Sequence, residues 1–155
     1  MALPSGLIRR NWSRVADDGS APALYLAIVH ASGRMRRLDE ELGLSPARFS
    51  VLATLRYDGP QRIGELARRE GVAQPTMTQS VQGLEAAGLV VRRPDPADGR
   101  SHVIELTPSG RALVRRARAR KIDWIARSLA DLSPTTRAAL HEAAASIDHH
   151  ALESP

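Results

Sequence analysis

Between residues 74 and 100 the sequence places glutamines and threonines, which can hydrogen-bond to bases, and three arginines, which can neutralise phosphates. Glutamine can pair bidentately with adenine, and threonine can donate to a base or contact a thymine methyl group. Arginine suits phosphate groups and narrow minor grooves, although arginines on a hairpin also fit a solvated strand edge. The candidate nucleic-acid contacts are Gln74, Thr76, Thr78, Gln79, Gln82, Arg92, Arg93 and Arg100.

The sequence shows no pattern typical of catalysis or of a metal centre. It has no Gly-x-Ser-x-Gly motif, no P-loop and no nucleophile placed beside a base. The absence of cysteine excludes disulfides and thiolate ligands. The adjacent His149 and His150 are not at a helical ligand spacing. We therefore predict that the chain is not an enzyme, with no metal site and no cofactor.

A heptad-type apolar stripe predicts a long first helix that ends at Gly43. Its apolar positions are separated alternately by three and four residues, which places them on one face. The positions are Ala21, Leu24, Ile28, Ala31, Met35, Leu38 and Leu42.

Three short helices and a hairpin follow, which is the order of a winged helix-turn-helix. Serine and proline at 45–46 predict a capped helix start, and glycines at 71 and 88 predict helix ends. The β-branched segments 89–93 and 101–106 predict two strands around a seven-residue loop, 94–100. The predicted helices are Pro46–Tyr57, Ile63–Glu70 and Pro75–Ala87.

Two further long helices are predicted after Thr107-Pro108 and after Ser133-Pro134. The predicted fold is mainly α with a small β-hairpin wing. The predicted divisions are a flexible lead-in (1–19), a dimerisation helix (20–44), a winged lobe (45–106) and C-terminal dimerisation helices (107–155).

Net charge contributes little to the prediction of DNA binding. The chain carries +5 overall, but residues 45–110 contain eight basic and seven acidic side chains. The local placement of the polar and basic side chains is therefore the stronger argument. The sequence contains no apolar run long enough to cross a membrane and no secretory signal, so we expect no membrane partner and a cytoplasmic location.

Five segments in order resemble the MarR family of bacterial winged helix-turn-helix transcriptional regulators. The similarity is dense from about Ser45 to Leu113, and the Asp-Gly-Arg wing followed by a Leu-Thr-x-x-Gly turn is its most specific part. The segments are Gly64-Glu65-Leu66-Ala67, Gln74-Pro75-Thr76-Met77-Thr78, Leu84 to Arg92, Asp95 to Ser101, and Leu106-Thr107-Pro108-Ser109-Gly110.

The resemblance implies a homodimer that binds a pseudo-palindromic double-stranded DNA operator, most often as a repressor released by a small ligand. It implies that Arg100 enters the minor groove and that Asp98 holds the wing in shape. It also implies a phenolic or other aromatic effector. The candidate pocket residues are Tyr25, His30, Arg34, Phe49 and Leu52, although such residues are more often part of a core.

Two alternatives to DNA binding remain open at the level of sequence. One is a winged-helix module for protein–protein contacts, although such a surface would be expected to carry apolar anchors. The other is a small-ligand-binding domain without DNA affinity.

Overall fold

The computed structural model describes residues 20–153, without the side chains of Arg100 and of residues 149–153. The predicted flexible lead-in, residues 1–19, therefore lies outside the described residues. The chain divides into two units, Met1–Pro46 and Ala47–Pro155. The elements are α1 (Ser20–Glu40), α2 (Pro46–Tyr57), α3 (Ile63–Arg69), α4 (Gln74–Ala86), β1 (Val90–Asp95), β2 (Asp98–Leu106), α5 (Pro108–Ser128) and α6 (Pro134–Glu153).

The first unit contains α1, as the heptad stripe predicted. The helix ends at Glu40, slightly before the predicted end, because the amides of Leu42 and Gly43 bond to carbonyls three residues back. Gly43 then adopts φ +75°, a conformation that favours glycine. Apolar side chains in the first half of α1 are exposed in the single chain, with Leu24 41% and Ile28 50% accessible.

The second unit has a core of aliphatic side chains drawn from every element of the winged lobe. Helix α4 contributes a stripe at helical spacing, and β1 and β2 contribute residues from one face of the hairpin. Burial of this surface is the main force that fixes the short helices against one another. The buried residues include Val51, Leu52, Leu55, Leu66, Met77, Val81, Leu84, Val90, Ile104, Leu106, Val114 and Ala117.

The wing is an antiparallel hairpin with a much tighter turn than the sequence predicted. Its register runs from Val90 opposite Leu106 to Pro94 opposite His102, with an irregularity before Asp95. The predicted seven-residue loop was wrong, because the strands extend to Asp95 and Asp98 and leave a two-residue turn. Gln61 adds a third, single-residue strand through two hydrogen bonds with Ile104, of 3.1 and 2.8 Å.

The start of α5 is fastened to the end of α4. The Thr107 hydroxyl donates to the carbonyl of Gly88 at 2.7 Å and accepts from the Gly110 amide at 3.0 Å. The Thr107 amide donates to the carbonyl of Leu89 at 3.0 Å. The predicted Thr107 cap is therefore confirmed, and it also joins α5 to Gly88 and Leu89, which lie between α4 and β1.

Candidate nucleic-acid interface

Helix α4 has one buried face and one exposed polar face. Met77, Val81 and Leu84 are buried, and their spacing of three and four residues fixes the rotation of the helix. The structure brings four of the candidate contacts together as exposed side chains on the remaining surface. These are Gln74, Thr76, Gln79 and Gln82.

Thr78, the fifth predicted contact on α4, differs from the other four. It is half-buried, and its hydroxyl donates to the carbonyl of Gln74 at 2.9 Å. A hydroxyl bonded back to its own helix keeps an acceptor lone pair but has its proton engaged. Donation from Thr78 to a base therefore requires this bond to be exchanged.

The wing is fixed by a buried carboxylate that the sequence reasoning did not single out. Asp95 is 8% exposed and accepts from the Ala97 amide at 2.8 Å, from Arg62 Nε at 2.6 Å and from the Ser101 hydroxyl at 3.3 Å. The Ala97 amide and the Arg62 guanidinium hold the pKa of Asp95 below its ordinary value. In return, the hydrogen bond and charge of Asp95 raise the pKa of Arg62.

These bonds connect the wing tip to the residue that precedes α3. Arg62 lies immediately before the first helix of the helix-turn-helix, and its Nη2 is 2.5 Å from Asp95 Oδ2. The Asp-Pro sequence at 95–96 is a local turn signal that could have identified the bond to Ala97. The pair with Arg62 spans 33 positions and has no local signal.

Asp98 and Arg100, the two residues that the resemblance assigns to the wing, lie on β2. Asp98 Oδ2 is 4.0 Å from Arg62 Nη2, and its carbonyl accepts from the Ser101 hydroxyl at 3.0 Å. Asp98 thus contacts the same cluster as Asp95 at longer range. The side chain of Arg100 lies outside the described residues, so its minor-groove role stays a prediction.

The two arginines of β1 have different surroundings. Arg92 Nε donates to both carboxylate oxygens of Glu85 on α4, at 3.1 and 3.0 Å. Arg93 is exposed and borders a surface cavity of about 370 Å³ beside Arg62 and Asp95. Arg93 is therefore the better placed of the two to meet a phosphate, because the charge of Arg92 is already paired.

The candidate effector residues are distributed over both units. On α1, Tyr25 is 59% exposed, His30 is exposed, and Arg34 pairs with Glu41 at 3.3 Å. In the second unit, Phe49 lies beneath the ammonium of Lys121, 3.6 Å from its ring centre, and Leu52 is fully buried. Leu52 belongs to the core of the lobe, and the effector role of all five stays a prediction.

The described part of the chain, residues 20–153, contains neither a metal-ligand cluster nor a membrane-spanning helix. No group of three or more His, Asp or Glu side chains in this part of the chain is arranged to hold a metal ion. No described helix is long and apolar enough to cross a membrane.

The chain is similar to known transcriptional regulators. A family model described as "MarR family" matches residues 44–102. An HTH-type transcriptional regulator of Mycobacterium bovis is 36% identical over 83% of this chain and 90% of its own length. The HTH-type transcriptional repressor NicR of Pseudomonas putida is 41% identical over 46% of this chain and 45% of its own.

The fold is also similar to that of a solved regulator. The crystal structure of transcriptional regulator Tm0710 from Thermotoga maritima matches with a TM-score of 0.73 and 28% identity. The match covers 83% of this chain and 91% of that one.

Proposed function

Because this chain belongs to the MarR family of helix-turn-helix transcriptional regulators, we propose that it is a repressor that binds operator DNA as a homodimer. Membership of this family makes it a regulator of transcription and not an enzyme. In the proposed complex, α4 enters the major groove and the wing follows the neighbouring minor groove.

The observation that carries the proposal is the outward polar face of α4. Gln74, Thr76, Gln79 and Gln82 are exposed there, whereas the opposite face is buried in the lobe. Each bidentate contact to a base edge contributes roughly 1–3 kcal/mol of discrimination. The first acidic residue of the helix, Glu85, is paired with Arg92 at 3.0 Å, which reduces its repulsion of phosphate.

Exposed apolar side chains on the long helices support the proposal that a second copy of the chain binds there. On α1, Leu26 and Val29 are exposed in addition to Leu24 and Ile28 of the stripe. On α5 and α6, exposed apolar residues include Ile122, Ile125 and Ile147. Exposed apolar side chains of this kind are typical of an interaction site, and a two-fold dimer would present two winged lobes to half-sites about one helical turn apart.

We further propose that a phenolic or other aromatic effector relieves repression. The effector class rests on the family resemblance, and repression is supported by the relative NicR, which is a transcriptional repressor. Release of the protein from its operator by one member of a panel of phenolic acids would support it. Unchanged binding across the panel would count against this class of effector.

Gel shifts with purified protein and DNA from upstream of its own gene test the proposed function. We expect sequence-preferring binding that weakens as salt is raised. Arg100→Ala should weaken binding strongly while leaving the dimer intact by sedimentation. Equal affinity for all duplexes would refute operator recognition, and an unchanged Arg100→Ala affinity would refute the wing assignment.

A further inference from the structure

An arginine from α2 lies against Gly83, a glycine near the C-terminal end of α4. A Cβ atom built on Gly83 would stand 2.5 Å from Arg48 Nη2, 3.1 Å from Cζ and 3.5 Å from Nε. All three atoms belong to the guanidinium group, so that group rests on the bare backbone of α4. Arg48 is itself exposed and Gly83 is half-buried. The guanidinium therefore occupies a notch in the surface of α4, namely the space that a side chain at position 83 would fill.

The notch lies on the exposed side of α4. At about 100° per residue, Gly83 is roughly 20° around the helix axis from Thr76 and roughly 40° from Gln79. Both of these side chains are exposed candidate contacts. The guanidinium of Arg48 is therefore at the border of the surface proposed to enter the major groove, although Arg48 belongs to neither α4 nor the wing.

We propose that Arg48 binds a DNA phosphate at the edge of the major groove occupied by α4. This inference rests on the proposed function. A groove-bound helix has the two sugar-phosphate strands on its flanks, so a cation at the border of its exposed face meets the backbone before it meets a base. Guanidinium groups bind phosphate oxygens bidentately, and the glycine lets this one lie close to the helix without a Cβ atom in the way.

Substitution of Gly83 distinguishes a phosphate contact by Arg48 from a purely structural role of Arg48. Alanine at position 83 overlaps only the end of a flexible exposed side chain, so Arg48 can move aside at little cost to the fold. Alanine is also a better helix former than glycine. Gly83→Ala should therefore leave the melting temperature unchanged or raise it by roughly 2–4 °C, yet it should weaken DNA binding by displacing Arg48.

The experiment measures binding of the full chain by fluorescence anisotropy between 50 and 200 mM KCl. The probes are a labelled 30-bp duplex recovered by the wild-type protein from a random pool, and a scrambled version of it. Loss of one phosphate contact per protomer removes two contacts per dimer. The slope of log K against log salt should therefore become less negative by about 1.8. The affinity advantage of wild type over Arg48→Ala should then be about tenfold larger at 50 mM than at 200 mM.

Four comparisons decide the outcome. Arg48→Lys should retain most of the salt slope, because the charge is kept. Arg127→Ala, which removes an equal charge from the far end of α5, should leave the slope unchanged. Gly83→Ala should have no further effect in an Arg48→Ala background, since the two changes act through one group. The loss in Arg48→Ala should be similar on both probes, because phosphates carry no sequence information.

Three results would overturn the assignment while leaving the proposed function intact. An unchanged salt slope in Arg48→Ala would show that Arg48 makes no phosphate contact. A loss confined to the selected duplex would indicate base reading instead. An effect of Gly83→Ala that persists without Arg48 would show that the added methyl group acts directly. Failure of the wild-type protein to bind any duplex would overturn the proposed function as well, and is recognised before any variant is measured.

Discussion

Replacing Gly110 with alanine tests the junction between α5 and Leu89, which follows α4. A Cβ atom at this position would overlap the carbonyl oxygen of Leu89 and lie 3.0 Å from its carbonyl carbon. It would also lie 3.2 Å from Leu106 Cδ2. The first two atoms are backbone, which cannot turn aside as a flexible side chain can, so α5 must move away from the end of α4.

The expected magnitude follows from what that movement disrupts. Inserting a methyl group into a packed site costs about 1–3 kcal/mol. Separating α5 from Leu89 also weakens the bond from the Thr107 amide, 3.0 Å long, which is worth about 0.5–1.5 kcal/mol. Together these give a loss of about 2–4 kcal/mol, or a fall in melting temperature of roughly 5–15 °C for a chain of this size.

Urea and thermal unfolding followed by circular dichroism, at one fixed protomer concentration, measure this loss. Gly64→Ala in α3 is the matched control, because a Cβ there meets no atom within 4 Å. It should be neutral or stabilising by up to about 1 kcal/mol. Equal stability of the Gly110→Ala and Gly64→Ala proteins would refute the packing argument at the α4–α5 junction.

Three further outcomes are expected. Asp95 stabilises the wing above the ordinary carboxyl pKa, and this contribution is lost as pH falls through the depressed folded pKa. An NMR titration of the wing amides should therefore give a midpoint below pH 3.8. Asp95→Asn should abolish this titration, and a midpoint above pH 3.8 would contradict the stabilising role of Asp95. Glu85→Gln should release Arg92 and raise DNA affinity severalfold at low salt while costing under about 1 kcal/mol of stability, and lower affinity would argue against it. Leu52→Ala should cost about 2–5 kcal/mol of unfolding free energy, because it truncates a core side chain. Unchanged stability would contradict the assignment of Leu52 to the core and favour its role as a pocket residue.

The helices could be predicted closely because their ends are encoded locally. Proline after a capping residue at 46, 108 and 134 set three helix starts, and each agrees with the structure. Glycines at 43, 71 and 88 adopt positive φ where helices were predicted to end. The exposed face of α4 was also predictable, because a periodic apolar stripe determines which residues point away from the core.

The features that escaped prediction depend on pairs far apart in the chain. Proline and glycine between 94 and 100 indicated an open loop, but the bonds of Asp95 to Arg62 and Ala97 close it into a tight turn. Likewise, Arg48 and Gly83 carry no signal in their own segments, and only the tertiary fold brings them together. Local patterns determine helices and faces, whereas these contacts require the tertiary arrangement.

Competition between the selected duplex and its scrambled counterpart for wild-type protein, by anisotropy at 150 mM KCl, tests the central proposal most directly. A sequence-specific regulator should prefer the selected duplex by at least about 10³-fold. It should saturate that duplex at two protomers per site, in keeping with a two-fold operator. A preference near one would contradict the proposal that the polar face of α4 and the wing read an operator.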